Sequence, residues 1–80
     1  MTTEDARDLV RRVLCAEFEF DPEEVTESAH LVDDLDLDSV DGVALAVRLE
    51  EEADVELTED ELRGLRTVGD VVRLVERRVP

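Results

Sequence analysis

Apolar residues recur at three- and four-residue steps in separate stretches of this chain, and that spacing belongs to helices that lay one side on a core. Ala6, Leu9, Val10, Val13 and Leu14 form the first stripe, with the stem of Glu17 at its edge and Phe18 closing it. The helix starts at Thr2 or Thr3, with acids in its first turn. At about one hundred degrees per residue, Cys15 falls opposite the stripe beside Arg11 and Arg12, and is expected to be exposed. Thr58-Glu59-Asp60-Glu61 is a capping box that opens a short helix ending near Gly64. Thr67-Val68-Gly69-Asp70 opens the last helix in the same style, and Val68, Val71, Val72, Val75 and Val79 carry its core stripe.

The second helix is less simple. It starts at Asp38 or Ser39, with Asp38 able to cap and Asp41 at the third helical position. Val40, Val43, Ala44 and Val47 lie along one side of it, and Leu45, Ala46, Leu49 and Ala53 roughly opposite. Either the helix is central and packed on both sides, or one stripe is left exposed for docking, and the residues alone do not choose. Before it, from Glu19 to Asp38, periodicity lapses for roughly twenty residues, longer than most connections in compact domains. Asp21-Pro22-Glu23-Glu24 reads there as one helical turn, and Val25, Leu31, Val32 and Leu35 are expected to pin the loop to the bundle. His30 reads as a surface or boundary residue with no chemical role. The expected architecture is all-α, a four-helix bundle with a long loop between helices 1 and 2 and a short third helix, in one domain spanning residues 1–80.

Composition narrows what such a bundle can do. Eighty residues enclose a small core, too small for a large buried active site, and with Phe18 and Phe20 as the only aromatics that core is Val, Leu and Ala. A net charge of −15 disfavours nucleic acid and anionic membranes and suits basic partner proteins. The charge is polarised, because no Lys or Arg occurs from Val13 through Val47 while arginines gather near both ends. The same acidity also serves solubility. A single cysteine excludes an intramolecular disulfide, the N-terminus has no signal-peptide pattern, and no stretch is long enough to span a bilayer, so the cytoplasm is the expected compartment.

Ser39 is the candidate for chemistry. As a self-sufficient nucleophile it lacks a base and an oxyanion site: His30 is the only histidine, there is no lysine, and the neighbours Asp36, Asp38 and Asp41 repel a developing oxyanion. A helix N-terminus does favour a phosphate, so a phosphodiester held there covalently is reasonable, although Asp-Ser at a helix start is more often a cap alone. Asp34, Asp36 and Asp38 have the spacing of the first ligands of an EF-hand loop. Ser39 stands at its turn glycine and Leu45 at its bidentate glutamate, so no high-affinity metal site is expected.

Leu31-Val32-Asp33-Asp34-Leu35-Asp36, Leu37-Asp38-Ser39-Val40, Glu50-Glu51-Glu52, Asp54-Val55-Glu56-Leu57 and Thr67-Val68-Gly69-Asp70-Val71-Val72 together resemble the acyl carrier proteins over about the last two thirds of the chain. The resemblance implies that a phosphopantetheinyl transferase attaches 4′-phosphopantetheine, donated by coenzyme A, to Ser39, with Asp38 beside it. The arm's thiol would then carry acyl groups as thioesters, and the protein would have no catalytic site of its own. It also implies that Val40, Val43 and Val47 face partners while Leu45 and Leu49 face the core. Asp41, Glu50 and Glu51 become the expected contacts with basic patches on acyl-loading and ketosynthase-type enzymes, with the carrier a monomer. An aminoacyl or peptidyl carrier, and an unmodified acidic interaction domain, are the alternatives. The sequence departs from the family pattern at Asp36, often glycine, at Ala44, commonly an acid, at Arg48, which interrupts the acidic face, at Gly42 inside the helix, and at Ala53, where a large aromatic is common.

Overall fold

Each of the four threonine or aspartate caps read from the sequence starts a helix. The computed structural model describes residues 2–79, and in them α1 spans Thr3–Phe18, α2 Ser39–Ala53, α3 Glu59–Arg63 and α4 Val68–Arg78. Met1 and Pro80, the ends of the expected domain, lie outside the described residues. Thr2, Asp38, Thr58 and Thr67 each accept the amide three residues on, and the acids at Asp5, Asp41, Glu61 and Asp70 reach back to the cap amides. Two of the amides that a helix start leaves unpaired are thereby satisfied at every start. α1 and α2 end on Glu19 and Asp54 in the left-handed conformation usually given to glycine, whereas Gly64, which ends α3, is right-handed.

α1 packs against both α4 and α2. Its predicted stripe, Ala6, Leu9, Val10, Val13 and Leu14, is buried to the last residue, as are Val68, Val71, Val72 and Val75 on α4. Leu74, off the predicted α4 stripe, is buried as well. On α2 the structure makes the choice that periodicity left open: Leu45, Ala46 and Leu49 are buried and Val40, Val43 and Val47 are exposed. Cys15 corrects the expectation made for it. It is half-buried and packs against the core, because α1 is covered from more than one direction and neighbouring Arg11 also has its Nε out of solvent.

The long loop folds onto the start of α4. Val68 and Gly69 donate their amides to the carbonyls of Ala29 and Glu27 at 3.0 and 2.9 Å, Leu31 donates to the carbonyl of Arg66 at 2.8 Å, and His30 pairs with Thr67 as an isolated bridge. Loop carbonyls thus take up amides that the first turn of α4 cannot pair internally. Glycine at 69 allows the approach, since a β-carbon there would come within 3.1 Å of the Glu27 carbonyl oxygen. Val25, Ala29, Leu31, Leu35 and Leu37 then enter the core. Val32 does not: it is 58% exposed, because its amide faces His30 inside the turn and its side chain is left outside. Pro22–Glu24 forms the expected single turn, closed by Glu24 on Asp21 at 2.9 Å and Val25 on Pro22 at 3.3 Å.

Candidate functional site

Ser39 is the first residue of α2 and is exposed; the capping is done by the residue before it. Asp38 Oδ1 accepts the Asp41 amide at 2.9 Å, and Asp41 Oδ2 accepts the Asp38 amide at 3.1 Å. The ordinary reason for a hydroxyl at a helix start is therefore discharged by Asp38, and the Ser39 hydroxyl is left for another use.

The approach to Ser39 is a tight turn. Its closing bonds run from the Asp36 amide to the Val32 carbonyl at 3.0 Å and from the Leu37 amide to the Leu31 carbonyl at 2.9 Å. Asp36 has φ 60°, the left-handed region, which accounts for the resemblance's preference for glycine here: aspartate tolerates that backbone but does not favour it. Buried Leu35 and Leu37 hold the chain on either side, so Ser39 sits on a pinned backbone.

A half-open cleft of about 670 Å³ adjoins Ser39, with Leu31, Leu37, Leu45 and Leu62 among its apolar walls and Val43 and Gly42 along the α2 side. A β-carbon added to Gly42 would meet nothing within 4 Å. The α3 wall is tied to α4 by Glu61, whose carboxylate takes both Arg78 and the Thr58 amide. The Arg78 guanidinium first, and the Thr58 amide next, hold the Glu61 carboxyl down at about 2. Asp70 is likewise lowered, chiefly by the amides of Thr67 and Arg66.

Val40, Val43 and Val47 are 73, 60 and 45% exposed, and Val32, which the sequence placed inward, joins them as the fourth exposed large hydrophobic among the described residues. The acids around them differ in how free they are. Glu51 is exposed, Asp41 is half-buried in the cap, and Glu50 is half-buried with its carboxylate accepting the Leu57 amide at 3.1 Å. Arg48 does not project as a lone cation. It folds back to within 3.6 Å of both Glu17 and Glu52, and Arg12 reaches Glu52 at 3.3 Å, so its charge is balanced within the molecule.

His30 has a role that the sequence reading missed. Its Nδ1 accepts the amides of Val32 and Asp33 at 3.2 and 3.1 Å, and Asp34 Oδ2 accepts the His30 amide at 2.7 Å, so the imidazole caps the turn that precedes Ser39. The lone pair is committed to the backbone and cannot serve as a base for Ser39. The available signal was Asp34 four residues on, obscured because histidine is not a usual cap. Among the described residues, no group of three or more His, Cys, Asp or Glu side chains is arranged to hold a metal ion. No helix among them is long and apolar enough to cross a membrane.

Comparison with known proteins adds two findings. Residues 8–75 match the family model described as "Phosphopantetheine attachment site". The chain is 40% identical over 75 residues to an "Acyl carrier protein" of Phenylobacterium zucineum, covering 94% of this chain and 95% of the relative. An "Acyl carrier protein" of Caulobacter vibrioides is 39% identical with 92 and 95% covered, and an "Acyl carrier protein 2" of Ralstonia nicotianae 40% identical with 95 and 94% covered.

Proposed function

The chain belongs to the acyl carrier protein family, with 4′-phosphopantetheine as its cofactor, and from that premise we propose that Ser39 is the hydroxyl that bears the arm. The observation that carries this is the division of labour at the start of α2: Asp38 caps, and the neighbouring hydroxyl is exposed on a pinned turn beside an apolar cleft. Attachment joins Ser39 Oγ to the phosphopantetheinyl phosphorus of coenzyme A and releases the nucleotide half as the leaving group. The hydroxyl proton passes to a base of the transferase, since the imidazole of this chain is engaged elsewhere. The amides and dipole of α2 favour the resulting phosphate, partly offsetting the repulsion of Asp36, Asp38 and Asp41.

The arm's thiol carries acyl groups as thioesters, so the reactions at the cargo belong to visiting enzymes and the carrier has no catalytic site of its own. A cleft of about 670 Å³ lies within the size range of small-molecule pockets and gives an apolar chain somewhere to shelter between visits. Val40, Val43 and Val47 form the apolar centre of the docking surface. Asp41 and Glu51 supply its charged rim toward basic patches of acyl-loading and ketosynthase-type enzymes, and Glu50 contributes through the part of its carboxylate not used by Leu57. The pathway is fatty-acid or polyketide synthesis, and the carrier works in the cytoplasm as a single monomeric domain. Incubation with coenzyme A, magnesium and a promiscuous phosphopantetheinyl transferase, followed by intact mass measurement, should add one arm to the native protein and none to Ser39→Ala. A folded native protein that gains no mass, or a Ser39→Ala variant that does, would reject the assignment.

A further inference from the structure

We infer that His30 is a positioning residue for Ser39, and that its neutral imidazole makes presentation of Ser39 sensitive to protons; the inference rests on Ser39 being the attachment site. Nδ1 accepts two amides, Val32 at 3.2 Å and Asp33 at 3.1 Å, which requires an unprotonated Nδ1 with the ring proton on Nε2. Those two bonds open a continuous chain of constraints. The His30 carbonyl accepts the Asp34 and Leu35 amides at 2.9 and 3.0 Å, the turn closes through Asp36 in the left-handed conformation, and Leu37 bonds back to Leu31 one residue before the Asp38 cap. The backbone on either side of His30 fastens the turn to the body of the bundle, the Leu31 amide donating to the Arg66 carbonyl and the Ala29 carbonyl accepting the Val68 amide.

A hydroxyl or carboxamide cap keeps its lone pair at every working pH, whereas the imidazole nitrogen that accepts these amides can take up a proton in their place. A proton on Nδ1 turns the acceptor into a donor facing two N–H groups, and both bonds are lost. The charged groups around it are Asp33 and Asp34 on its own turn and Arg66 and Asp70 on the segment that pairs with it. Asp33 Oδ2, 3.8 Å from Nδ1, is the nearest carboxylate and offers the protonated ring a different partner from the two amides. Protonation therefore redirects the imidazole from the backbone to Asp33, and the turn that delivers Ser39 loosens.

The test compares native protein, His30→Asn and His30→Ala, each checked for cooperative thermal unfolding, in two measurements from pH 8 to pH 5. In transferase labelling, His30→Ala should raise the KM for the carrier about three- to tenfold with little change in kcat, from the loss of a cap. His30→Asn, whose Oδ1 also accepts but does not titrate, should restore it. The native-to-Asn ratio of kcat/KM should then fall as the pH is lowered. By NMR, the Val32 and Asp33 amides of unlabelled native protein should move together with the imidazole resonances, and in His30→Asn they should not. Amides that ignore the imidazole, a native-to-Asn ratio that stays flat across the range, or a fully active and unshifted His30→Ala would each overturn the inference. Native protein that takes no label at all would instead reject the attachment site, while the NMR titration would still decide the cap.

Discussion

At the scale of single residues, two positions before or within the site carry separable costs. Asp36 holds φ 60° between two closing hydrogen bonds, a conformation that costs an L-residue about 1–2 kcal/mol unless its side chain is short and polar. Asp36→Gly should be neutral or stabilising by up to about 1 kcal/mol and Asp36→Val destabilising by about 1–2 kcal/mol, as read by urea unfolding. A valine variant as stable as the glycine one would mean that the backbone strain is absent. Gly42 is the opposite case, a flexible residue in the first turn of α2 with open space where its β-carbon would lie. Gly42→Ala should raise stability by roughly 1 kcal/mol, and a loss of stability would show that the space is filled in solution.

At the scale of elements, α2 is asymmetric in what its two stripes do. Leu49 is fully buried and Val43 is 60% exposed, although both are aliphatic residues of the same helix. Leu49→Ala should cost about 2–5 kcal/mol, whereas Val43→Asp should leave the melting curve nearly in place and impair partner use. Unfolding of Val43→Asp would place Val43 in the core and remove the docking surface. α3 is too short to hold itself and depends on Glu61, which joins its cap to Arg78 of α4. The folded Glu61 carboxyl lies at about 2, below its unfolded value, so its contribution is fully present above the ordinary glutamate range and is lost as pH falls toward about 2. Acid unfolding of Glu61→Gln should accordingly be shallower than that of the native protein between pH 4.5 and 2. Parallel acid limbs for the two would remove this pair from the account.

At the scale of the whole molecule, a charge of −15 on 80 residues makes self-repulsion a property of the fold. Most ion pairs found here are partly or fully exposed, and such pairs contribute little each, so they do not cancel it. Magnesium, calcium or added salt should raise the melting temperature by screening, at roughly 4–8 °C for every kcal/mol relieved. A melting temperature unmoved by such a titration would show that the acids are too dispersed to repel. The polarity of the charge matters beyond its size. With Arg48 and Arg12 drawn into pairs with Glu17 and Glu52, neither offsets the acids around Ser39, which is what the proposed docking to basic patches requires.

What the sequence determined by itself was local: four helix starts, the reciprocal caps of α2, α3 and α4, the α1 and α4 core stripes and the candidate hydroxyl at Ser39 all depend on residues within a turn or two of one another. Tertiary structure decided whatever depends on elements distant in the chain. Periodicity gave α2 two equivalent stripes, and only the placement of α1 buried the Leu45 and Leu49 side. Cys15 was misplaced because a helical wheel has one back, whereas α1 has neighbours in more than one direction. Val32, expected inward, points outward, and His30 lies at the boundary as expected but has a structural part that was not foreseen. A loop without a period takes its orientation from the hydrogen bonds it makes to remote partners, here the first turn of α4, and those partners cannot be read from the loop alone.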